Sequence, residues 1–178
     1  MRANPISTRM IPSIFTLANL LCGFIAIIFV IEENYSLAAA MVLMSVLMDS
    51  LDGKVARRLS VSSDFGKELD SLSDLVSFGV APAILTYQSI LNSQTEVIRY
   101  AGLGIAAFFA LCGAVRLARF NILNITTYFI GVPITFAGGF MALLMFFRNV
   151  LPWYIYFVSM IILAFLMVSS FKVAKLGK

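Results

Sequence analysis

The sequence has no histidine, two cysteines, one tryptophan and five prolines. Charge is equally scarce: Asp, Glu, Lys and Arg make up 12% of the 178 residues, against 61% hydrophobic. Without histidine there is no imidazole base, so any proton transfer at a side chain falls first to carboxylates. Cys22 and Cys112 both lie inside apolar runs and read as packing residues that carry no redox information. So little charge, with a mean hydropathy of +0.96, excludes an ordinary water-soluble globular domain. It points instead to a polytopic membrane protein. The first apolar run has no small-residue cleavage site, so no cleaved signal peptide is expected. The net charge of +4 suits anionic lipid headgroups. The cations are not gathered on a polar domain, so nucleic acid is not expected as a partner.

What is present is a series of long apolar runs. They predict an all-α integral membrane protein with six transmembrane helices in one domain, 1–178, at about 11–31, 36–59, 64–91, 97–120, 129–147 and 153–171. Pro12 is expected in the first turn of the first span. The short polar stretch before it leaves room for only a brief N-terminal interfacial segment. Trp153, Tyr154 and Tyr156 fit an aromatic belt at the membrane surface. Of the 13 Lys and Arg residues, only Arg99 and Arg148 fall on the face opposite both termini. By the positive-inside bias, both termini should be cytoplasmic, with Glu32, Glu33 and Glu96 outside.

Acidic residues are concentrated where apolar sequence makes them costly. Six of the nine lie between Asp49 and Asp74. On a helix, Asp49, Asp52, Gly53 and Ala56 share one face, and so do Gly66, Asp70 and Asp74. The serine-containing stretch between the two sets is polar enough to turn the chain. Two adjacent helices joined there would aim four carboxylates at one another. At about 5 Å and an effective dielectric near 20, each like-charge pair costs roughly 3 kcal/mol, so protons or divalent metal must compensate. Oxygen-only ligands suit Mg²⁺, Mn²⁺ or Ca²⁺. Gly53, Ala56 and Gly66 leave a hollow beside the carboxylates, and Arg57 stands on its flank. Metal, hollow and cation together favour a phosphate-bearing substrate. Intramembrane aspartates also raise the possibility of a divalent-cation transporter. Spans one, five and six offer no acidic residue for a path across.

The pattern Asp49-x2-Asp52-Gly53-x2-Ala56-Arg57-x8-Gly66-x3-Asp70-x3-Asp74 resembles the signature of the CDP-alcohol phosphotransferases at all eight positions. Three further blocks resemble the serine-accepting branch of that family: Ser77-Phe-Gly79-Val-Ala-Pro82, Arg116-Leu-Ala-Arg119-Phe-Asn121, and Phe129-Ile-Gly131-Val-Pro133-Ile-Thr-Phe-Ala-Gly138. Taken alone, Arg116 and Arg119 at i, i+3 would equally serve as headgroup anchors. Gly131, Pro133, Gly138 and Gly139 would serve as packing and kink residues, and Thr16 and Asn19 as helix–helix hydrogen-bonding groups.

The resemblance implies an enzyme that transfers a phosphatidyl group from CDP-diacylglycerol to L-serine, releasing CMP at the cytoplasmic face of the cell membrane. Glycerol phosphate or inositol phosphate acceptors, or CDP-archaeol as donor, are the alternatives within the family. It further implies two divalent ions, Mg²⁺ or Mn²⁺, on Asp49, Asp52, Asp70 and Asp74, with Asp74 the catalytic base. A nucleotide site is implied at Asp52, Gly53, Ala56, Arg57, Gly66 and Asn19, and a serine site at Arg116, Arg119 and Asn121. A homodimer embedded in membrane lipid is implied as well.

Overall fold

The computed structural model describes residues 5–59, 63–123, 128–169 and 172–174; the side chains of residues 5–12, 56, 57, 59, 123, 128–130 and 172–174 lie outside that description. The protein is built of helices: α1 (Pro5–Ile31), α2 (Tyr35–Leu59), α3 (Asp64–Leu91), α4 (Glu96–Leu123), α5 (Ile134–Met145) and α6 (Trp153–Val168). Two three-residue strands, β1 (Tyr128–Ile130) and β2 (Lys172–Ala174), pair antiparallel. Among the described residues, four helical stretches are long and apolar enough to cross a bilayer: Ser13–Ile31, Tyr35–Val55, Asp64–Leu91 and Glu96–Ile122. Helices α5 and α6 are apolar but shorter.

The sequence reading needs correction at its edges. The first helix begins at Pro5, so the N-terminal polar residues from that point continue it without a break. Pro12 consequently lies within the helix rather than in its first turn, where it removes one intrahelical hydrogen bond. The fifth helix starts at Ile134, not near residue 129. Gly131 sits at φ 72°, the left-handed region that glycine enters freely. Pro133 then supplies the extended N-cap of α5. Twelve residues of α5 span only about 18 Å, short of a hydrocarbon core of about 30 Å. Tyr156 is no belt residue: it is fully buried and donates its hydroxyl to Leu144 O at 3.0 Å.

Helix α1 shows how the bundle is arranged. Ile14, Leu17, Leu21, Phe24 and Ile28 are exposed, whereas Thr16, Asn19, Ala26 and Val30 are buried. Large apolar groups outside and small or polar groups inside is the reverse of a soluble helix, and it suits lipid as the solvent. Fully buried alanines at 38, 39, 81, 137, 142 and 164 let neighbouring backbones approach closely.

Helix α3 departs from α geometry immediately after Asp74. Leu75–Val80 is π-helical, and the Ala81 N–H reaches back to Val76 O. Pro82 has no N–H for the Phe78 carbonyl, and a wider turn before it relieves the ring clash that a proline brings to a helix. Helix α5 uses this place: a Cβ on Gly138 would stand 2.5 Å from Phe78 O. At Gly131 a Cβ would come as close to Met167 O, and Val132 N–H donates to Leu166 O at 3.1 Å. The entry to α5 is therefore seated on the end of α6.

Gly131→Ala should destabilise the protein, since a non-glycine residue in the left-handed region costs about 1–2 kcal/mol before any steric clash. A clear fall in the thermal midpoint in detergent is the expected outcome. An unchanged midpoint would show that this turn is not constrained.

Candidate active site

Asp49 and Asp52 lie ten and seven residues before the end of α2, and Asp70 and Asp74 lie six and ten residues after the start of α3. Ser63 starts α3: its backbone is extended and its Oγ accepts the Gly66 N–H at 3.0 Å, which fixes the helix carrying the second pair. One carboxylate oxygen from each of Asp49, Asp70 and Asp74 lies within 4.8 Å of the others. Asp52 stands outside this trio among the described residues, and accepts a hydrogen bond from Thr16 Oγ1 at 3.2 Å. Asp74 and Asp52 are both buried, at 7% exposure each.

A seam of polar contacts from α1 holds these carboxylates. Asn19 is fully buried and donates Nδ2 to Asp74 Oδ1 at 3.1 Å. Its backbone carbonyl accepts from Ser77 Oγ at 3.0 Å and Ser45 Oγ at 3.3 Å. Thr16 O accepts from Ser73 Oγ at 2.7 Å. Such hydrogen bonds between membrane helices are worth on average about 0.6 kcal/mol each. Their value here lies more in fixing rotamers than in stability. From the far side, Thr135 in α5 donates Oγ1 to Asp49 Oδ2 at 3.4 Å.

The trio suits a hard divalent cation. Its donors are all carboxylate oxygens, which is the ligand type Mg²⁺ and Mn²⁺ take. Asp70 Oδ1 is buried without a hydrogen-bond partner, a costly state for a carboxylate that a bound cation would relieve.

A cavity of about 530 Å³ opens beside the trio, between α3, α4 and the start of α5. Asp70, Asp74 and Thr135 form its inner wall, with Arg116 and Asn121 across from them. Arg116 is half-buried, near enough to Asp74 and Asp49 to interact with their charge, and packs on the Phe120 ring at 5.7 Å. Asn121 Nδ2 donates to Ser71 Oγ at 3.0 Å and to Glu68 Oε1 at 3.4 Å.

The arginine pair divides. Arg119 donates Nη1 to Val168 O at 2.8 Å and ties α4 to the last residue of α6. It does not line the cavity. Of the expected nucleotide residues, Asp52 and Gly53 are not among those that line the cavity, Gly66 lies at the start of α3, and Asn19 is engaged with Asp74. Ala56 and Arg57 have side chains outside the described residues. The sequence reading passed over Thr135, Ser73, Ser77 and Glu68. Thr135 was signalled only by its place in the Gly131–Gly138 block, Ser77 by its place in the Ser77–Pro82 block, and Ser73 by its position between Asp70 and Asp74.

Comparison with known proteins identifies the family. Residues 9–171 match the family model described as CDP-alcohol phosphatidyltransferase. Relatives include a CDP-diacylglycerol–serine O-phosphatidyltransferase of Methanocaldococcus jannaschii, 42% identical over 160 residues, covering 90% of this chain and 71% of that one. A protein of the same name from Bacillus subtilis is 39% identical over 140 residues, covering 78% and 77%. An archaetidylserine synthase of Methanothermobacter thermautotrophicus is 39% identical over 132 residues, covering 72% of this chain and 54% of that one. With nearly its whole length inside the family model, this membrane-helical chain belongs to the CDP-alcohol phosphatidyltransferase family of transferases.

Proposed function

We propose that the protein transfers a phosphatidyl group from CDP-diacylglycerol to L-serine, forming phosphatidylserine and CMP. The observation that carries this reading is the carboxylate trio beside a cavity whose other wall presents Arg116. Serine brings its own carboxylate, and a half-buried guanidinium is a fitting partner for it. The names of the Methanocaldococcus jannaschii and Bacillus subtilis relatives point to the same acceptor. The archaetidylserine synthase among the relatives favours a second reading of the donor only, in which the lipid is an ether-linked CDP-archaeol.

In this reading the serine hydroxyl oxygen attacks the lipid-bearing phosphorus of the diphosphate. The phosphorus–oxygen bond to CMP breaks, CMP leaves with the electron pair, and the hydroxyl proton passes to Asp74. Asn19 fixes one Asp74 oxygen by its 3.1 Å hydrogen bond, which leaves the other oxygen for the proton. Divalent cations, Mg²⁺ or Mn²⁺ and two in number, held by Asp49, Asp52, Asp70 and Asp74, would supply the positive charge that neutralises the diphosphate and the leaving CMP. Asp52, Gly53, Ala56, Arg57 and Gly66 form the nucleotide side, with the unpartnered Asn19 Oδ1 at its inner end. Arg116 and Asn121 form the acceptor side. Arg119 acts there through α4, by securing it to α6.

The chain works as one membrane domain of six spans, a homodimer as the family likeness implies, with both termini and the active site cytoplasmic. The short helices α5 and α6 complete the count of six. The lysine and arginine asymmetry supports the orientation.

Three measurements test these proposals. CMP release from CDP-diacylglycerol, with acceptor alcohols added singly, should depend on serine and not on glycerol phosphate or inositol phosphate. In the same assay Arg116→Ala should raise the serine KM by roughly ten- to a hundredfold, the worth of a charge-assisted contact of about 1.5–3 kcal/mol. Arg119→Ala should lower the thermal midpoint instead. Equal serine KM values in wild type and Arg116→Ala would refute the acceptor role.

The aspartates should separate by role. Asp49→Asn should lose Mg²⁺-dependent CDP binding as well as turnover. Asp74→Asn should retain much of that binding while kcat falls about 10²–10⁴-fold, the usual worth of a positioned base. Calorimetry with CDP and Mg²⁺, beside steady-state rates, checks this, and identical binding losses would leave Asp74 no separate role as base.

For orientation, single cysteines at Glu33 and Asn92 in a Cys22- and Cys112-free background should react with an impermeant maleimide from outside the cell. Labelling confined to the cytoplasmic side would overturn the six-span arrangement.

A further inference from the structure

The cavity is lined by charges of both signs, contributed by α3 and α4. Among the described residues the ion pairs are Lys67–Asp64 at 3.5 Å and Arg99–Glu96 at 3.9 Å. Lys67 and Asp64 also line the cavity, and so satisfy one another there. Arg116 and Glu68 line it too, each without an ion-pair partner among the described residues. Arg116 lies over the face of Phe120 and within reach of the charge of Asp74 and Asp49, and Glu68 accepts from the Asn121 amide at 3.4 Å. Asn121 bridges Glu68 and Ser71, one residue from Asp70. A line of polar groups thus leads along α3 and α4 from the carboxylate trio to Glu68.

We propose that Glu68 is a specificity residue that receives the α-ammonium of the acceptor amino alcohol while Arg116 receives its carboxylate. This deepens the serine reading above and rests on it. A zwitterion presents opposite charges on one carbon, and the cavity presents opposite charges from two helices, Glu68 on α3 and Arg116 on α4. Asn121, which lines the same cavity, donates to the Glu68 carboxylate at 3.4 Å. An acceptor bearing phosphate and no ammonium meets the same carboxylate as a repulsive charge, so Glu68 selects against it as well as for serine. Glu68 lies on the same helix as Asp70 and Asp74, and all three line the one cavity.

The test compares wild type, Glu68→Gln and Glu68→Asp, purified in lipid nanodiscs with Mg²⁺. CMP release is measured against serine and against 3-hydroxypropanoate, which has the hydroxyl and carboxylate but no ammonium. Calorimetric binding of CDP is measured alongside. Glu68→Gln should raise the serine KM about tenfold, with the KM for CDP-diacylglycerol and CDP binding within about twofold of wild type. Glu68→Asp should recover part of the loss. The preference of wild type for serine over 3-hydroxypropanoate should narrow in Glu68→Gln. A serine KM unchanged in Glu68→Gln, an equal loss with both acceptors, or loss of CDP binding in both variants would each overturn the proposal. Wild-type CMP release that ignores serine would remove the acceptor reading and this inference together. Serine-dependent release with an unaffected Glu68→Gln would remove the role of Glu68 alone.

Discussion

The structure depends on carboxylates brought together where water is scarce. Asp49, Asp70 and Asp74 place oxygens within 4.8 Å of one another inside a bundle whose exterior is leucine, isoleucine and phenylalanine. Roughly 3 kcal/mol of repulsion per pair at an effective dielectric near 20 is too much for helix packing to absorb without a reason. The packing around the trio is accordingly rigid and polar on its inner side. Thr16 and Asn19 reach in from α1, Thr135 from α5, and Ser73 and Ser77 tie α3 back to the α1 backbone. An arrangement held this way is costly as a bare cluster and well suited to a cation that arrives with its substrate.

The same constraint accounts for features that look unrelated in the sequence. Hydrogen-bonding the aspartates from α1 requires α1 and α3 to come close, which small serines at 73 and 77 allow. Bringing Thr135 to Asp49 requires α5 to enter the bundle late and close. Gly131, Pro133 and Gly138 supply the turn, the cap and the close approach in eight residues. Pro82 and the π turn before it leave the Phe78 carbonyl for α5 to press against. Each device serves the position of a polar group more directly than it serves apolar burial.

Much of this was legible in the sequence, and the reason is the solvent. In lipid, a charge is so costly that its presence in an apolar run carries information by itself. Asp49, Asp52, Asp70 and Asp74 could therefore be picked out, and helical periodicity alone put them on facing sides. Helix ends were harder. The late start of α5 follows from Gly131 in the left-handed region, and a Gly-Val-Pro triplet within an apolar run does not distinguish a kink from a new beginning. The different fates of Arg116 and Arg119 were not legible at all. At i, i+3 they are neighbours on one helix, and only the position of the α6 terminus decides that one meets a backbone carbonyl and the other a cavity. Tyr156 failed for a similar reason. Its place beside Trp153 suits a surface belt, but the carbonyl that captures its hydroxyl belongs to Leu144, twelve residues earlier.

Depth ties the site to the chemistry proposed for it. Asp49 lies ten residues before the end of α2 and Asp74 ten residues after the start of α3. At 1.5 Å per residue both stand about 15 Å along their helices from the ends that the α2–α3 connection joins, and so at matched depth. The cavity runs outward from there, past Asp70 and Ser71 to Glu68, Lys67 and Asp64 in the first turns of α3. Its polar groups thus become more numerous and more exposed toward the mouth, while its apolar wall is Leu117 and Phe120. A lipid donor must keep its chains in the bilayer while its diphosphate reaches the carboxylates, and a small polar acceptor must come from water. A graded polar channel that ends at aspartates of matched depth on two helices lets both arrive at one point without either leaving its own solvent. The aspartates need not lie at the membrane midplane, and a cavity that has to open only toward one surface avoids the continuous polar path that a cation transporter would require.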